Sequence, residues 1–359
     1  MKVTGSFWRR PPPPTLGVDI SASSIKLVEL GQDRQGGWVL ERCAMEPLDK
    51  GCVVDGSIEK FDEVAEVLRR AVKRTGTKAK QVALALPHTA VITKKIVLPA
   101  HLNEQEMEVQ VESEASQYIP FSLDEVTLDF CVLGPNARSP EDVDVLLAAS
   151  RRERVEDRQG LAEAVGLQAC VVEVETHAAR LAASRLMQRL PMQGKDALVA
   201  LVRMGGGSTN LQVVRNHELL FEREQSYGGA QLTQMLAKHY GMSQEEAELK
   251  KRTGDLPADH VHAVLHPFIE GMTTEVMRAM QFFFTSTPYQ TVDQMLLFGG
   301  SAALPGLQQA IAAQLQVPVE VANPFQGMAM GSQLRAPRMQ QEAPAYLTAC
   351  GLAMRRYLQ

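Results

Sequence analysis

Two turns built from small residues carry the residue types that bind phosphate. The first follows an apolar run and contains Asp19, Ser21, Ser23 and Ser24, and the second runs from Gly205 to Ser208. Backbone N–H groups can converge on an anion where no bulky side chain blocks the approach. Hydroxyls can bind phosphate oxygens, and a carboxylate such as that of Asp19 can hold the water shell of a divalent metal ion. A pair of such turns predicts a site that binds a triphosphate from both sides. For the first turn taken alone, a solvated serine-rich turn is the alternative interpretation.

A third small-residue turn lies near the C-terminal end of the sequence. Gly299, Gly300 and Ser301 stand between an apolar strand-like run and a predicted helix. Such a turn lets the backbone approach a flat ligand such as adenine at a helix N-terminus. A simple tight connection between strand and helix is the other interpretation.

The elements that must position these turns occur twice. Thr15 to Leu30 is typical of a strand, a turn and a second strand, and Trp38 to Ala44 predicts a third. The same order returns in Ala197 to Met204, Asn210 to Val214 and Glu218 to Glu224. Two such units predict a duplicated architecture with two related lobes that face each other.

Helices and further strands follow each unit, so both lobes are predicted to be mixed α/β. Apolar residues at helical spacing, glycine stops and a capping pair of Ser243 with Glu246 support the helices. The predicted helices are Glu59 to Arg74, Gln231 to His239, one from Ser243 to Gly254, a long one through Thr285, and Leu307 to Leu315. The predicted strands are Val82 to Leu86, Val143 to Ala148, Gln168 to Val174 and Gln294 to Phe298.

An acidic helix interrupts the first unit between Val91 and Gly134, which suggests a small inserted subdomain. Asn103 is its predicted cap, and Met107, Val111, Ala115 and Tyr118 are predicted on its apolar side. The helix ends in an apolar group, Ile119, Pro120 and Phe121, at an expected junction with the first lobe. These three residues could form a peptide-docking edge, or they could be buried by ordinary packing.

Composition limits the classes of function. The 359 residues carry a net charge of −5, which argues against a general nucleic-acid binder. The five cysteines include no C-x-x-C pair, and no run approaches the length of about 18 apolar residues that spans a bilayer. We therefore expect a cytoplasmic protein with a flexible tail over residues 1–14, and a loop over residues 323–343 before a final helix from Pro344 to Leu358.

Taken in order, these segments resemble the actin-like ATPase fold, and more closely the PilM family of type IV pilus assembly proteins. The resemblance covers nearly the whole chain after the proline-rich tail. It is carried by GVDISASSIKLVEL from Gly17, AVITKKIVLP from Ala90, QVESEASQYIPFSLDEVTLDF from Gln110, YGGAQLT from Tyr227, LFGGSAALPGL from Leu297 and ACGLAMR from Ala349.

The resemblance implies two duplicated RNase H-like lobes and an inserted subdomain shared with the FtsA-like branch. The implied division is subdomain 1A over 15–88 and 151–192, the insert 1C over 89–150, 2A over 193–238 and 276–343, 2B over 239–275, and a C-terminal helix over 344–359 that returns to 1A.

The resemblance also implies a nucleotide cleft for ATP or ADP. Its implied lining comprises Asp19, Ser21, Ser23, Ser24, Lys26, Gly205, Gly206, Gly207, Ser208, Thr209, Gly228, Gly229, Lys250, Gly299, Gly300 and Ser301. Two alternatives stay open: Gly228 and Gly229 could simply form a helix entry, and Glu246 could close a capping box rather than lie beside Lys250.

One departure from the family pattern bears on catalysis. The second turn usually follows the form D-x-G, whereas this chain has Arg203-Met204-Gly205. Arginine has no acceptor atom and does not deprotonate near neutral pH, so it cannot order the water shell of a metal ion. With Asp19 as the one metal-binding candidate, Mg²⁺ binding is expected to be weakened, no catalytic residue is assigned, and ATP hydrolysis is expected to be very slow or absent.

The implied role is a cytoplasmic scaffold at the inner membrane that binds the N-terminal cytoplasmic tail of PilN. The same resemblance implies indirect contact with PilO and contact with the pilus motor ATPases, and it places Ile119, Pro120 or Phe121 in the tail-binding groove. A small-molecule kinase of the actin-like superfamily and an FtsA-like filament protein are the alternatives. The kinase would need a catalytic base, for which the sequence offers no clear candidate.

Overall fold

A computed structural model describes residues 13–331, 334, 339 and 341–358. The predicted tail therefore lies outside the described residues over 1–12, as does part of the predicted loop over 323–343. Within the described ranges, no helix combines the length and the apolar character that crossing a bilayer requires.

The first lobe is built on a six-stranded sheet. In space its strands follow the order β10-β6-β1-β2-β3-β16, in which β1, β2 and β3 are antiparallel and β6 and β10 run parallel to β1. The strands are β1 (Thr15–Ile20), β2 (Ser24–Gln32), β3 (Trp38–Pro47), β6 (Gln81–Leu86), β10 (Gln168–Val174) and β16 (Ala329–Met330), with a small hairpin of β4 (Val53–Val54) and β5 (Ser57–Ile58). The helices are α1 (Phe61–Thr75), α3 (Arg152–Ala164) and α4 (Glu175–Met187).

The second lobe repeats this topology in a five-stranded sheet. Its order is β13-β12-β11-β14-β15, so three antiparallel strands again precede two parallel ones. The strands are β11 (Val199–Met204), β12 (Thr209–Arg215), β13 (Glu218–Gln225), β14 (Gln294–Phe298) and β15 (Val319–Val321). The helices are α5 (Gly229–Tyr240), α6 (Gln244–Thr253), α7 (His266–Ser286) and α8 (Leu307–Leu315). The predicted duplication of the lobes is therefore confirmed.

The insert forms a separate three-stranded antiparallel sheet in the order β7-β9-β8. It comprises β7 (Val91–Pro99), α2 (Glu104–Tyr118), β8 (Val126–Pro135) and β9 (Asp142–Arg151). Asn103 and Glu106 close a capping box at the start of α2, because each side chain accepts from the other residue's backbone N–H. Met107, Val111 and Ala115 face the core as predicted. Tyr118 does not: its side chain lies on the surface against Lys94, since the helix ends there and turns it outward.

A short C-terminal helix, α9 (Leu347–Met354), lies at the centre of the molecule. Every one of its residues is buried, and it packs against α4 and against β1, β2 and β6 of the first sheet. The predicted helix from Pro344 to Leu358 is thus shorter, because 3₁₀ turns at Ala343–Tyr346 and Arg355–Tyr357 replace its ends. The 3₁₀ turn before α9 reaches the second lobe, where the carbonyl of Pro344 accepts a hydrogen bond from the N–H of Gly299 at 2.8 Å.

Candidate functional site

The two small-residue turns meet where the two lobes adjoin. Each turn connects the first two strands of its sheet, and the duplicated topology places both at equivalent ends. A Cβ atom added to Gly206 would lie 3.6 Å from Oγ of Ser23. The structure therefore brings together the two turns that the sequence singled out.

The carboxylate of Asp19 forms a buried ion pair in the first turn. Lys26 stands opposite Asp19 across the β1/β2 ladder, and its Nζ lies 3.1 Å from Oδ2 of Asp19 and 3.0 Å from Oγ of Ser21. Ser21 in turn donates to the carbonyl of Ser24 at 2.9 Å. The ammonium group of Lys26 thus stands at the base of this turn, where it neutralises the one carboxylate that the turn offers to a metal ion.

Glycine is required where the second turn meets the start of α5. The carbonyls of Gly205 and Gly206 accept hydrogen bonds from the N–H groups of Gly229 and Ala230 at 3.0 and 2.7 Å. A Cβ atom on Gly228 would lie 2.7 Å from both of these carbonyl oxygens. Gly228 and Gly229 therefore let the start of α5 pack directly against the turn. The same contacts hold the turn in position.

Some N–H groups of the second turn remain available to an anion. Gly205 donates to the carbonyl of Ser208 at 2.9 Å. Gly206 and Gly207 donate no backbone hydrogen bond to the part of the chain that the structure describes. Adjacent unused N–H groups in a glycine turn form the concave donor surface that binds phosphate.

The third turn packs directly behind the second. Gly299 has a φ of +96°, and a Cβ atom there would lie 2.5 Å from the carbonyl of Met204. Ser301 donates its N–H to the same carbonyl at 3.2 Å, and its Oγ would lie 2.9 Å from a Cβ atom on Gly229. Gly300 has open space around it. Backbone from three separate segments thus converges at one place.

Three residues of the predicted set point to other partners. Ser208 donates to Glu224, Thr209 donates to the carbonyl of Tyr227 at 2.6 Å, and Lys250 pairs with Asp255 at 3.2 Å.

The neighbouring lysine, Lys251, is the one that reaches the first turn of α5, which packs against the glycine turn. Its Nζ lies 3.3 Å from the carbonyl of Gly229 and 2.7 Å from Oγ1 of Thr233. Sequence reasoning missed Lys251, although a signal existed. Ala247, the one buried residue of α6, lies four residues earlier and shares its helix face.

A network of four charged side chains joins the lobes beside the turns, and sequence reasoning missed most of it. Glu175, the first residue of α4, is 8% exposed and accepts from Nη1 of Arg203 at 2.8 Å. Nδ1 of His88 lies 3.2 Å from the same carboxylate, and its Nε2 lies 3.3 Å from Glu224. The charge of Arg203, which stands at the position of the usual aspartate, is thus balanced by the carboxylate of Glu175.

The network keeps its members charged. Burial lowers the pKa of His88, but hydrogen bonds to Glu175 and Glu224 outweigh it and raise the pKa to about 9. Burial raises the pKa of Glu175, yet the nearby charge of Arg203 and the hydrogen bond from His88 bring it below its ordinary value. Two carboxylates and two cations therefore neutralise one another across the lobe boundary.

The His88 bridge should make stability depend on pH. The folded-state pKa of about 9 lies above the ordinary value of 6.5, so the stabilisation is complete below about pH 6.5 and disappears as pH rises through 9. Relative to His88→Gln, wild-type protein should lose up to about 1.4 kcal/mol of unfolding free energy per pH unit across that window. Urea unfolding of both proteins at several pH values measures this difference. A constant difference between pH 6 and 9 would contradict the paired state of His88.

The three predicted partner-binding residues occupy different environments. Ile119 is buried in the core of the insert, Pro120 is exposed, and Phe121 is half-buried. The guanidinium carbon of Arg151 lies 4.2 Å from the centroid of the Phe121 ring. Because Arg151 ends β9 and α3 follows at once, this contact marks the junction between the insert and the first lobe.

The described residues contain no cluster of three or more histidine, cysteine, aspartate or glutamate side chains arranged to hold a metal ion. For a nucleotide, the donor set fits better: converging glycine backbone, unused N–H groups and the ammonium of Lys26 all suit phosphate oxygens.

Comparison with known proteins identifies the fold and the family. A chain of the solved PilM-PilN type IV pilus biogenesis complex matches with a TM-score of 0.79 and 28% identity over 95% of this chain and 98% of that chain. The ethanolamine utilization protein EutJ from Carboxydothermus hydrogenoformans matches with a TM-score of 0.57 and 19% identity, over 96% and 90% of the two chains, a likeness in fold alone. The predicted fold, an actin-like ATPase fold of two duplicated lobes with a small inserted subdomain, is confirmed.

The family model described as type IV pilus assembly protein PilM matches residues 17–357, which is nearly the whole chain. This chain therefore belongs to the PilM family of type IV pilus assembly proteins.

Proposed function

We propose that this protein is a scaffold of the type IV pilus machine that binds the N-terminal cytoplasmic tail of PilN. The similarity to a chain of the PilM-PilN complex, at 28% identity over 95% of this chain, is the observation that carries the proposal. In this role the protein reaches the inner membrane by holding the tail of its partner. Indirect contact with PilO and direct contact with the pilus motor ATPases belong to the same proposal.

The tail is proposed to bind where the insert meets the first lobe. Pro120 is exposed and Phe121 is half-buried at this junction, so both can contact a partner. Ile119 is buried in the core of the insert and holds them in place. The Phe121 ring with the guanidinium of Arg151 above it presents an apolar patch beside a fixed positive charge. Such aromatic and arginine pairs are the residues that most often dominate binding energy at protein interfaces.

The cleft is proposed to hold ATP or ADP as a structural ligand. The phosphates would lie against the two turns, bound by the N–H groups of Gly206 and Gly207 and by the ammonium of Lys26. Mg²⁺ would depend mainly on the phosphates and water, since Asp19 is one carboxylate and already pairs with Lys26. Hydrolysis is proposed to be very slow or absent, because Arg203 stands where the family usually has aspartate.

Phe121→Ala should weaken binding of a synthetic PilN tail peptide by at least about tenfold, because it removes the ring that forms the apolar patch. Isothermal titration of the peptide into the full chain measures the effect. Val109→Ser is the matched control, since Val109 is an exposed apolar residue of the same insert and is 64% exposed.

Circular dichroism should show that both variants keep the fold. Ile119→Ala is unsuitable as a probe because it would leave a cavity in the core of the insert. Unchanged affinity in folded Phe121→Ala protein would place the tail elsewhere, and no binding by wild-type protein would overturn the scaffold function itself.

A further inference from the structure

A cavity of about 200 Å³ lies between helix α4 of the first lobe and the sheet of the second lobe. Its floor is apolar, because Leu201 of β11 and Val214 of β12 line it and are both buried. Met187 of α4 contributes a flexible thioether to the same wall. The cavity includes none of the residues assigned above to the nucleotide or to the PilN tail.

One arginine and two histidines lie at the rim of this cavity. Arg180 and His177 of α4 line one side, and His217, in the turn between β12 and β13, lines the other. The Nη1 atom of Arg180 is buried and has no hydrogen-bond partner within the described chain. A buried donor without an acceptor is unusual, because removing it from water is costly unless the lost hydrogen bond is replaced.

Two carboxylates, those of Glu173 and Glu222, lie close enough to interact with the charge of Arg180, but both are bound by other groups. Glu173 pairs with Arg355 at 3.1 Å and lies 3.7 Å from His177. Glu222 accepts hydrogen bonds from Asn210 and Gln212 at 3.2 and 3.0 Å. Neither forms an ion pair with Arg180 in the described chain, so the guanidinium keeps donors for an incoming anion.

We infer that this cavity binds a small organic carboxylate, with its carboxylate group on Arg180 and its apolar body against Leu201 and Val214. A guanidinium presents paired N–H groups that match the two oxygens of a carboxylate. The apolar floor favours a ligand with a compact hydrocarbon body over inorganic phosphate, which would leave that floor unfilled. Because α4 and the β11/β12 ladder belong to different lobes, the ligand would bridge them.

Benzoate and its neutral analogue benzamide form a matched pair of probes for this site. Carbon-13 methyl spectra of methionine-labelled full-length protein report directly on Met187, whose signal Met187→Leu assigns. Benzoate should shift the Met187 signal in a saturable way, and benzamide should not. Met192, which is 78% exposed and lies outside the cavity, should stay unshifted as the internal reference.

Arg180→Gln should raise the dissociation constant of benzoate by at least about tenfold, whereas Arg189→Gln, at an exposed arginine just beyond α4, should leave it unchanged. The inference is overturned if benzoate fails to shift Met187, if benzamide shifts it equally, or if folded Arg180→Gln protein binds benzoate as wild type does. The comparison of benzoate with benzamide in wild-type protein decides the question even where Arg180→Gln does not fold.

Discussion

Gly351→Ala should destabilise the protein by about 3 kcal/mol or more, a large fraction of the stability of a typical domain. Gly351 lies in the middle of α9, and a Cβ atom there would lie 1.7 Å from the carbonyl oxygen of Ala178 in α4. Helix propensity alone would favour alanine by about 1 kcal/mol. The clash must outweigh this gain, because its partner is helix backbone that cannot rotate away.

Urea unfolding of Gly351→Ala and wild-type protein measures the difference. Gly300→Ala is the matched control, because a Cβ atom at Gly300 meets nothing within 4 Å and it should unfold close to wild type. A loss of less than about 1 kcal/mol in Gly351→Ala would show that α9 and α4 do not cross as closely as the structure places them.

Local signals in the sequence were sufficient for most elements of the fold. The strand from Gln168 to Val174 and the helix from Leu307 to Leu315 were predicted to the residue, since apolar runs bounded by turn residues define them. Gly76, Gly241 and Gly254 all end helices in the left-handed conformation, as their positions indicated. The capping box at Asn103 likewise depends on two residues close together in the chain.

The parts that escaped prediction depend on contacts distant in the chain. Glu175 gave no signal as a cleft residue, because its partners are distant in the chain. His88 lies in the 3₁₀ turn after β6, 87 residues away, and Arg203 lies near the end of β11, 28 residues away. For the same reason, the ion pair between Arg203 and Glu175 could not be predicted from the residues next to Arg203 in the chain. Tyr118 fits the apolar spacing of α2, yet it sits at the helix end, where spacing no longer determines the direction of a side chain.

The second large expected effect is the absence of ATP turnover. An attacking water needs an acceptor that orders it and takes up its proton. The three carboxylates beside the turns each bind a cation: Asp19 pairs with Lys26, and Glu175 and Glu224 pair with Arg203 and His88. Arg203 itself offers no acceptor. The cleft should therefore bind nucleotide without hydrolysing it, so wild-type protein and Asp19→Ala should release phosphate at the same background rate.

Phosphate release from ATP in the presence of Mg²⁺, measured alongside isothermal titration of ATP, tests this account most directly. We predict that ATP binds to wild-type protein and that phosphate release does not exceed that of buffer or of Asp19→Ala. Release by wild-type protein that Asp19→Ala abolishes would contradict the account, because it would show that the cleft is catalytic despite Arg203.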